Sequence, residues 1–288
     1  MLLNGKEAAA ALKETMAKQV EYLKAKGVVP TLGIVRVGGK PADLSYEKSA
    51  AKACGDTGVA VKNYALPETA SQDDLLKVIK EVNEDESVHG VLLFRPLPPH
   101  INDNVVRRAL LPAKDVDGIT DGSMAGLYSG SGEGYAPCTA ESCIQILDHF
   151  KIDVAGKKAV ILGRSTVIGK PAALLLLEKN ATVTICHSKT RNLPQTVREA
   201  DIVIVAIGRA LSVGKEYFRA GQYVVDVGVN PKPDGGKGVC GDVKFDEAEP
   251  IVAGISPVPG GVGSVTACIL ASHVIRAAAK QPENTVMF

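Results

Sequence analysis

The sequence has no tryptophan, and aromatic residues make up only 4% of its 288 residues. It also lacks an excess of either charge, since 33 lysines and arginines stand against 32 aspartates and glutamates. A protein that binds nucleic acid without sequence preference carries a basic surface, and this composition does not supply one. The sequence therefore favours a small-molecule partner and argues against nucleic acid.

Long hydrophobic runs are missing as well. The longest apolar runs, such as residues 172–177, are far shorter than the roughly 20 residues that a membrane-spanning helix needs. The N-terminus leads directly into an amphipathic helical pattern, with neither the hydrophobic region nor the small-residue cleavage site of a signal peptide. We therefore expect no membrane association and a cytoplasmic location.

The six cysteines are scattered, and no two of them form a C-x-x-C pair. This spacing matches neither a disulfide framework nor a zinc site, so we expect no metal. Cysteine is among the most often buried residue types. We therefore predict reduced, buried thiols at Cys54, Cys138, Cys143, Cys186, Cys240 and Cys268.

Helix-like and strand-like patterns alternate along the chain, with a lapse from residue 110 to residue 137. That lapse is rich in glycine, serine and aspartate, and we interpret it as a loop and a candidate domain boundary. Apolar strands separated by helices indicate an α/β fold with a parallel sheet covered on both faces. The patterns predict helices at residues 7–26, 42–57, 72–83, 140–150 and 264–280, and strands at 30–37, 59–64, 90–94, 158–162, 182–186, 202–206 and 223–227.

Gly163 and Gly169 bound a loop between a predicted strand and a predicted helix whose first turn contains Pro171. At a helix N-terminus the main-chain N–H groups lack helical partners and the helix dipole is positive, so a phosphate group is well accommodated. The phosphate-binding loop of ATPases requires four residues between its glycines and a Ser or Thr after its lysine; this loop has five and Pro171. Since G-x-G-x-x-G is not matched either, the loop predicts dinucleotide binding only together with its α/β context.

The strand that follows ends about 20 residues further on, where an NAD enzyme usually places an acidic residue on the ribose hydroxyls. No acidic residue occurs there. Positive charge and a hydroxyl, which suit the 2′-phosphate of NADP, come instead from Arg164, Ser188, Lys189 and Arg191. We therefore predict NADP rather than NAD, and we interpret the neighbouring His187 as a positioning residue.

Five segments resemble, in sequence and in order, the methylenetetrahydrofolate dehydrogenase/cyclohydrolase family. They are residues 114–118 (Lys-Asp-Val-Asp-Gly), 163–171, 182–190, 226–230 and 257–263 (Pro-Val-Pro-Gly-Gly-Val-Gly). The last segment is highly specific to this family, and the resemblance covers essentially the whole chain. It implies hydride transfer from 5,10-methylenetetrahydrofolate to NADP, giving the methenyl form, within one-carbon metabolism and purine biosynthesis.

The resemblance also implies a two-domain α/β fold and a homodimer. Residues 1–138 would form a catalytic, folate-binding domain, with a C-terminal helix at 264–288 returning to it, and residues 139–263 a Rossmann-like NADP-binding domain. Cofactor contacts fall on Gly163, Arg164, Ser165, Gly169, Ser188 and Val229. Folate contacts fall on the catalytic residues Tyr46 and Asp117 and on Leu93, Phe94, Arg95, Pro257, Pro259, Gly260, Gly261 and Gly263.

Two positions depart from the family pattern. Bifunctional members resemble one another in a Tyr-x-x-x-Lys motif and in a glutamine before Pro-Leu-Pro, and here these positions hold Ala50 and Phe94. The resemblance assigns that lysine to hydrolysis of the methenyl group, where water must be activated and protons moved, and neither a methyl group nor a phenyl ring can do this. We therefore predict a dehydrogenase whose cyclohydrolase activity is weak or absent.

Neighbouring basic residues do not replace the missing lysine. On a helix, Lys48 and Lys52 project about 160 to 200° away from position 50, so we expect them at the surface. On a strand, Arg95 points to the side opposite position 94. The alternatives left open are a conventional bifunctional enzyme, a dinucleotide-binding sensor without catalysis, and an unrelated NAD(P) dehydrogenase.

Overall fold

The computed structural model describes residues 1–280, apart from the side chain of residue 42. These residues divide into two compact units. One, which we call the three-stranded unit, comprises Ala11–Cys138 and residues 267–280. The other, the five-stranded unit, comprises Met1–Ala10 and Thr139–Thr266, so the first ten residues belong with the second sheet.

The three-stranded unit is built on a parallel sheet in the order β2-β1-β3. Its elements are the greater part of α1 (Gly5–Ala25), then β1 (Thr31–Val37), α2 (Pro41–Thr57), β2 (Ala60–Leu66), α3 (Gln72–Glu84), β3 (Gly90–Leu93), α4 (Asp103–Ala109) and α5 (Asp121–Ser129). Helix α3 begins at a capping box in which Ser71 and Asp74 bond each other's main-chain N–H groups. Its apolar face, Leu75, Ile79 and Val82, packs in the core with β1 and β3. The sheet therefore has a helix-covered face, as its apolar strands predict.

The five-stranded unit holds a second parallel sheet in the order β10-β7-β6-β4-β5. Its elements are α6 (Cys138–His149), β4 (Lys158–Leu162), α7 (Gly169–Glu178), β5 (Thr182–Cys186), α8 (Leu193–Arg198), β6 (Ile202–Val205), β7 (Tyr223–Asp226), the antiparallel pair β8 (Asn230–Pro231) and β9 (Val239–Cys240), α9 (Phe245–Ala248), β10 (Gly254–Ile255) and the start of α10 (Gly263–Ala279). Strand order changes direction beside β4, whose carboxyl end is therefore the switch point where doubly wound sheets bind ligands.

The C-terminal helix was expected to return to the first domain, and this is confirmed. Residues 267–280 of the chain, most of α10, belong to the three-stranded unit. The last part of that prediction, residues 281–288, lies outside the described residues.

The expectation of a loop from residue 110 to residue 137 is wrong. The segment contains a short 3-10 turn, Pro112–Lys114, and helix α5. Thr120 caps α5 by accepting a hydrogen bond from the main-chain N–H of Ser123, and Gly126 lies so close to the Glu133 carbonyl that no Cβ would fit. Gly126, one of the glycines that suggested a loop, is thus a site of close main-chain packing.

All six cysteines are free and buried within the described structure, as predicted. Burial raises the pKa of the Cys54 and Cys143 thiols to about 12, so both are protonated at neutral pH. Across residues 1–280, none of the helices combines the length and the apolar character that a membrane crossing requires.

Candidate active site

The glycine-bounded loop joins β4 to α7 through a turn that only glycine can form. Gly163 has φ +129° and a Cβ there would collide with the Ala206 carbonyl oxygen, while a Cβ on Gly169 would collide with the Gly163 carbonyl oxygen. The main-chain N–H of Gly163 donates to the Cys186 carbonyl oxygen at 2.9 Å. The loop is therefore held tightly against β5 and β6, and residues 164–167 are left exposed.

The loop before α7 supplies acceptors of its own to N–H groups at the start of the helix. The Ser165 hydroxyl oxygen accepts from the N–H of Ile168 at 3.1 Å, and the Ser165 carbonyl accepts from the N–H of Lys170 at 3.0 Å. These bonds close the turn on itself. A phosphate at this loop would therefore meet the exposed segment 164–167 and the Ser165 hydroxyl hydrogen rather than the first helical amides.

A compact turn follows β5 and carries the predicted 2′-phosphate contacts. The N–H of His187 donates to Thr190 Oγ1 at 2.9 Å, and His187 Nδ1 accepts from the N–H of Lys189 at 3.1 Å. Ser188 and Lys189 are exposed at its tip, and Arg164 is exposed on the loop after β4. His187 thus orders the turn, and the turn presents a hydroxyl and positive charge with no acidic side chain between residues 186 and 191.

Val229 follows β7 and is 64% exposed, which is unusual for an apolar residue next to a buried strand. Its neighbours Gly228 and Asn230 are buried. An exposed apolar side chain at the carboxyl edge of the parallel sheet is compatible with the predicted cofactor contact.

Two buried carboxylates, which sequence reasoning missed, hold the loops around this edge. Asp242 accepts from the main-chain N–H groups of residues 207, 208 and 209 at 2.7, 2.9 and 2.7 Å and from Asn230 Nδ2 at 2.9 Å. Asp226 accepts from the N–H groups of residues 228, 242 and 243 at 2.9, 3.1 and 2.9 Å. Burial raises the pKa of Asp226 to about 6. Asp242 follows a glycine and Asp226 ends an apolar strand. These local patterns do not reveal the hydrogen-bond partners of either carboxylate, which only the folded chain brings together.

In the three-stranded unit, Tyr46 on α2 meets Phe94 at the end of β3. Their ring centroids are 5.8 Å apart and the planes cross at 76°, an edge-to-face pair. Ala50, one helical turn beyond Tyr46, is completely buried, whereas Lys48 and Lys52 are exposed. The expected surface position of both lysines agrees with the structure, and Lys52 pairs with Asp56 at 3.4 Å.

Arg95 turns away from Phe94 into an ion pair. Its Nε and Nη2 donate to the two carboxylate oxygens of Asp103, each at 2.5 Å, and this pairing lowers the pKa of Asp103. The two parallel bonds fix the guanidinium. Leu93, another predicted folate contact, has its side chain in the core, so it can present only main-chain atoms.

Asp117 lies close to Tyr46 and is half-buried. Burial raises its pKa to about 6. Burial first, and then the negative charge of Asp117, raise the pKa of Tyr46 well above its usual value. The structure thus brings together Tyr46, Phe94 and Asp117 of the predicted folate contacts.

The loop at residues 257–263 belongs to the five-stranded unit. The N–H of Gly5 donates to the Gly260 carbonyl oxygen at 2.9 Å, and a Cβ on Gly5 would collide with Gly261. Pro259 is exposed, Pro257 is half-buried, and α10 begins at Gly263. The absence of a side chain at Gly5 therefore lets the start of α1 pass close to the loop.

A glycine turn at the switch point of a parallel sheet, next to an acid-free turn, defines the class of dinucleotide-binding α/β proteins. Domain models of one family match both parts of the chain: the tetrahydrofolate dehydrogenase/cyclohydrolase catalytic domain at residues 3–117 and its NAD(P)-binding domain at residues 137–282. The chain belongs to this family, as its sequence segments indicated.

Individual relatives agree over nearly the whole chain. The bifunctional protein FolD of Carboxydothermus hydrogenoformans is 48% identical over 96% of each chain. The solved FolD methylenetetrahydrofolate dehydrogenase/cyclohydrolase from Campylobacter jejuni superposes with a TM-score of 0.92 at 39% identity, covering 96% of this chain and 98% of its own. The Trypanosoma brucei enzyme, solved with NADP cofactor and inhibitor, has a TM-score of 0.90 at 31% identity over 97% of each chain.

Proposed function

We propose that this protein is an NADP-dependent 5,10-methylenetetrahydrofolate dehydrogenase of one-carbon metabolism. The five-stranded unit binds the dinucleotide and the three-stranded unit binds folate through Tyr46 and Asp117. The observation that carries the proposal is the exposed, positively charged turn after β5 beside the glycine turn after β4, in a chain of this family. Bound NADP supplies the hydride acceptor, and the protein contributes distance and orientation, because the folate nitrogens stabilise the developing cation.

The two positions that depart from the family pattern supply no group that can activate water. Ala50 is a buried methyl group, and the Phe94 ring packs against Tyr46. Burial keeps the pKa of Tyr46 above its usual value, so its hydroxyl stays protonated. Arg95 is occupied by Asp103. We therefore propose that methenyltetrahydrofolate leaves this enzyme without being hydrolysed.

The decay of methenyltetrahydrofolate absorbance tests this directly. We expect the purified enzyme to reduce NADP with methylenetetrahydrofolate while leaving methenyl decay at the buffer rate. The double variant Ala50→Lys with Phe94→Gln should gain hydrolysis, and Lys52→Ala is the matched control because Lys52 is exposed on the same helix. Enzyme-dependent loss of methenyltetrahydrofolate with the wild type would favour the second candidate, a bifunctional enzyme like the relatives named above.

Cofactor choice has its own test. Arg164 and Ser188 are exposed where the 2′-phosphate would bind. We expect Arg164→Ala to raise the KM for NADP about tenfold, the size of one charge-assisted contact, with little change in the KM for NAD. Wild-type enzyme that turns over NAD faster than NADP would overturn this assignment.

Two further expectations stay predictions. A homodimer follows from the family resemblance, and sedimentation velocity would show a species of twice the chain mass. A cytoplasmic location is the second, and cell fractionation would test it. A dinucleotide-binding sensor without catalysis would bind NADPH, yet give no folate-dependent reduction of NADP.

A further inference from the structure

A single residue, Ser256, joins strand β10 to the loop at residues 257–263. It is 1% exposed, and nothing in the proposed chemistry uses its hydroxyl. Its main-chain N–H donates to the Val224 carbonyl oxygen at 3.0 Å, which extends the parallel pairing of β10 with β7 by one bond. The loop therefore leaves the sheet directly after this serine.

The hydroxyl of Ser256 takes the place of a main-chain acceptor. In a parallel ladder of this register, the next N–H group of β7, that of Asp226, would donate to the Ser256 carbonyl oxygen. It donates instead to Ser256 Oγ at 2.8 Å, and the Ser256 hydroxyl donates to the Asp226 carbonyl oxygen over a longer 3.4 Å. Because the side chain closes the ladder, the main chain can turn away from the sheet at this residue.

The loop folds back over Ser256. A Cβ on Gly261 would lie 3.1 Å from Ser256 Cβ and 2.5 Å from the Pro257 carbonyl oxygen, so this part of the loop passes close to the serine. A Cβ on Gly241 would likewise lie 3.1 Å from Val258 Cγ2. Ser256 thus lies under the segment that carries the predicted folate contacts.

We propose that Ser256 is a positioning residue for folate: its hydroxyl replaces the ladder carbonyl at the end of β7 and so fixes the direction in which the loop at residues 257–263 leaves the sheet. Without the hydroxyl, the buried N–H of Asp226 would lack its acceptor, which is costly. The main chain would then shift to offer the carbonyl oxygen of residue 256, and the loop would move with it. The inference rests on the proposed function in taking this loop as a folate contact.

The loops on the cofactor side are held by other groups. The carboxylate of Asp226, rather than its main chain, accepts from the N–H groups of residues 228, 242 and 243. Asp242 in turn holds residues 207–209. Removal of the Ser256 hydroxyl leaves all of these bonds in place. Folate binding should therefore change while dinucleotide binding does not.

Steady-state kinetics and a binding titration of Ser256→Ala test the proposal. We expect the KM for methylenetetrahydrofolate to rise about tenfold, the factor that corresponds to the loss of one hydrogen bond, and the Kd for NADPH to keep its wild-type value. Ser256→Thr keeps the hydroxyl and should return the KM towards that of the wild type. If Ser256→Ala does not fold, Ser256→Cys makes the same comparison, because a thiol of similar shape is a weak hydrogen-bonding group.

Three kinetic outcomes would overturn the proposal. The first is an unchanged KM for methylenetetrahydrofolate in Ser256→Ala. The second is an equal change in the Kd for NADPH, which would mean that the whole edge of the sheet is disturbed. The third is a KM in Ser256→Thr no lower than that in the alanine variant, because the hydroxyl would then not be the group that matters.

The matched control removes another buried hydroxyl with a hydrogen bond of similar length. Thr31 Oγ1 donates to the Val29 carbonyl oxygen at 2.9 Å, at the amino end of β1. The N–H of Phe94, by contrast, donates to Val35 near the carboxyl end of that strand. Thr31→Val should lower the melting temperature and leave both constants unchanged. A tenfold rise in its KM for methylenetetrahydrofolate would show that lost stability alone explains the effect, and would overturn the proposal.

Amide NMR provides a readout without substrate. In Ser256→Ala, the amide signals of Asp226, Gly260 and Gly261 should shift, and Ser256→Thr should restore them. Unchanged signals in Ser256→Ala would refute the positioning role. A wild-type protein without dehydrogenase activity would refute the proposed function, yet these signals would still decide whether Ser256 places the loop.

Discussion

Each unit holds a buried or half-buried carboxylate near the carboxyl ends of its strands, and the two differ in their surroundings. Asp242 in the five-stranded unit is completely buried and accepts four N–H hydrogen bonds, three of them from consecutive main-chain groups. Asp117 in the three-stranded unit is half-buried beside Tyr46. A buried carboxylate saturated by main-chain donors fixes a loop, whereas a half-buried one keeps acceptor capacity for a ligand.

The largest effect should come from Asp242→Ala. Its removal leaves three main-chain N–H groups and the Asn230 amide without their acceptor, so the free energy of unfolding should fall by about 3–5 kcal/mol. Denaturant unfolding measures it, with the exposed Asp246→Ala as control. A loss below about 1 kcal/mol would mean that Asp242 does not hold this loop.

Asp117→Asn should instead raise the free energy of unfolding at high pH. Asp117 keeps its proton up to about pH 6 when folded, against 3.8 for the unfolded group, so its stabilising contribution is complete below pH 3.8 and is lost as the pH rises through about 6. An amide has no charge to bury, so the variant should gain about 1–2 kcal/mol at pH 8 and nothing at pH 4. It should also lose dehydrogenase activity. Destabilisation at pH 8 would show that Asp117 is a structural carboxylate like Asp242.

Asp226→Asn should give the smallest net change, because Asp226 shares a property with each of the others. It accepts three main-chain N–H bonds, as Asp242 does, yet burial raises its pKa to about 6, as for Asp117. At pH 8 the lost acceptor and the removed charge should offset each other to within about 1 kcal/mol. Below pH 5 the variant should become the less stable protein. Unfolding curves at pH 8 and below pH 5 measure both free energies of unfolding, and an equal difference between variant and wild type at the two pH values would contradict this prediction.

Helices and strands with a regular alternation of apolar and polar residues, or a short apolar run, could be predicted from the sequence. Strands β4 and β5 lie at residues 158–162 and 182–186 as predicted, because each is a short run of apolar and β-branched residues next to a glycine or a polar turn. Helix α5 was not predicted because its glycines and serines are typical of a loop. Only the close contact with residue 133 explains the glycine at position 126. The local sequence pattern could not predict that contact.

The candidate sites also differ in how far the sequence could predict them. The turn after β4 was visible because its glycines and its helix are consecutive in sequence. Near Asp117, the contact between Cys138 and His273 joins residues 135 positions apart, and the histidine lies on an apolar helix face where a core role is the ordinary interpretation. Folding creates that relation, so composition and spacing could not predict it.

The buried thiols supply a reporter that needs no engineering. Three of them (Cys54, Cys138 and Cys268) belong to the three-stranded unit, and three (Cys143, Cys186 and Cys240) belong to the five-stranded unit. A thiol that is both enclosed and protonated reacts with an alkylating reagent only while its surroundings are open. Mass spectrometry of timed alkylation would therefore record how often each unit opens, and NADP should slow labelling at Cys186 more than at Cys54.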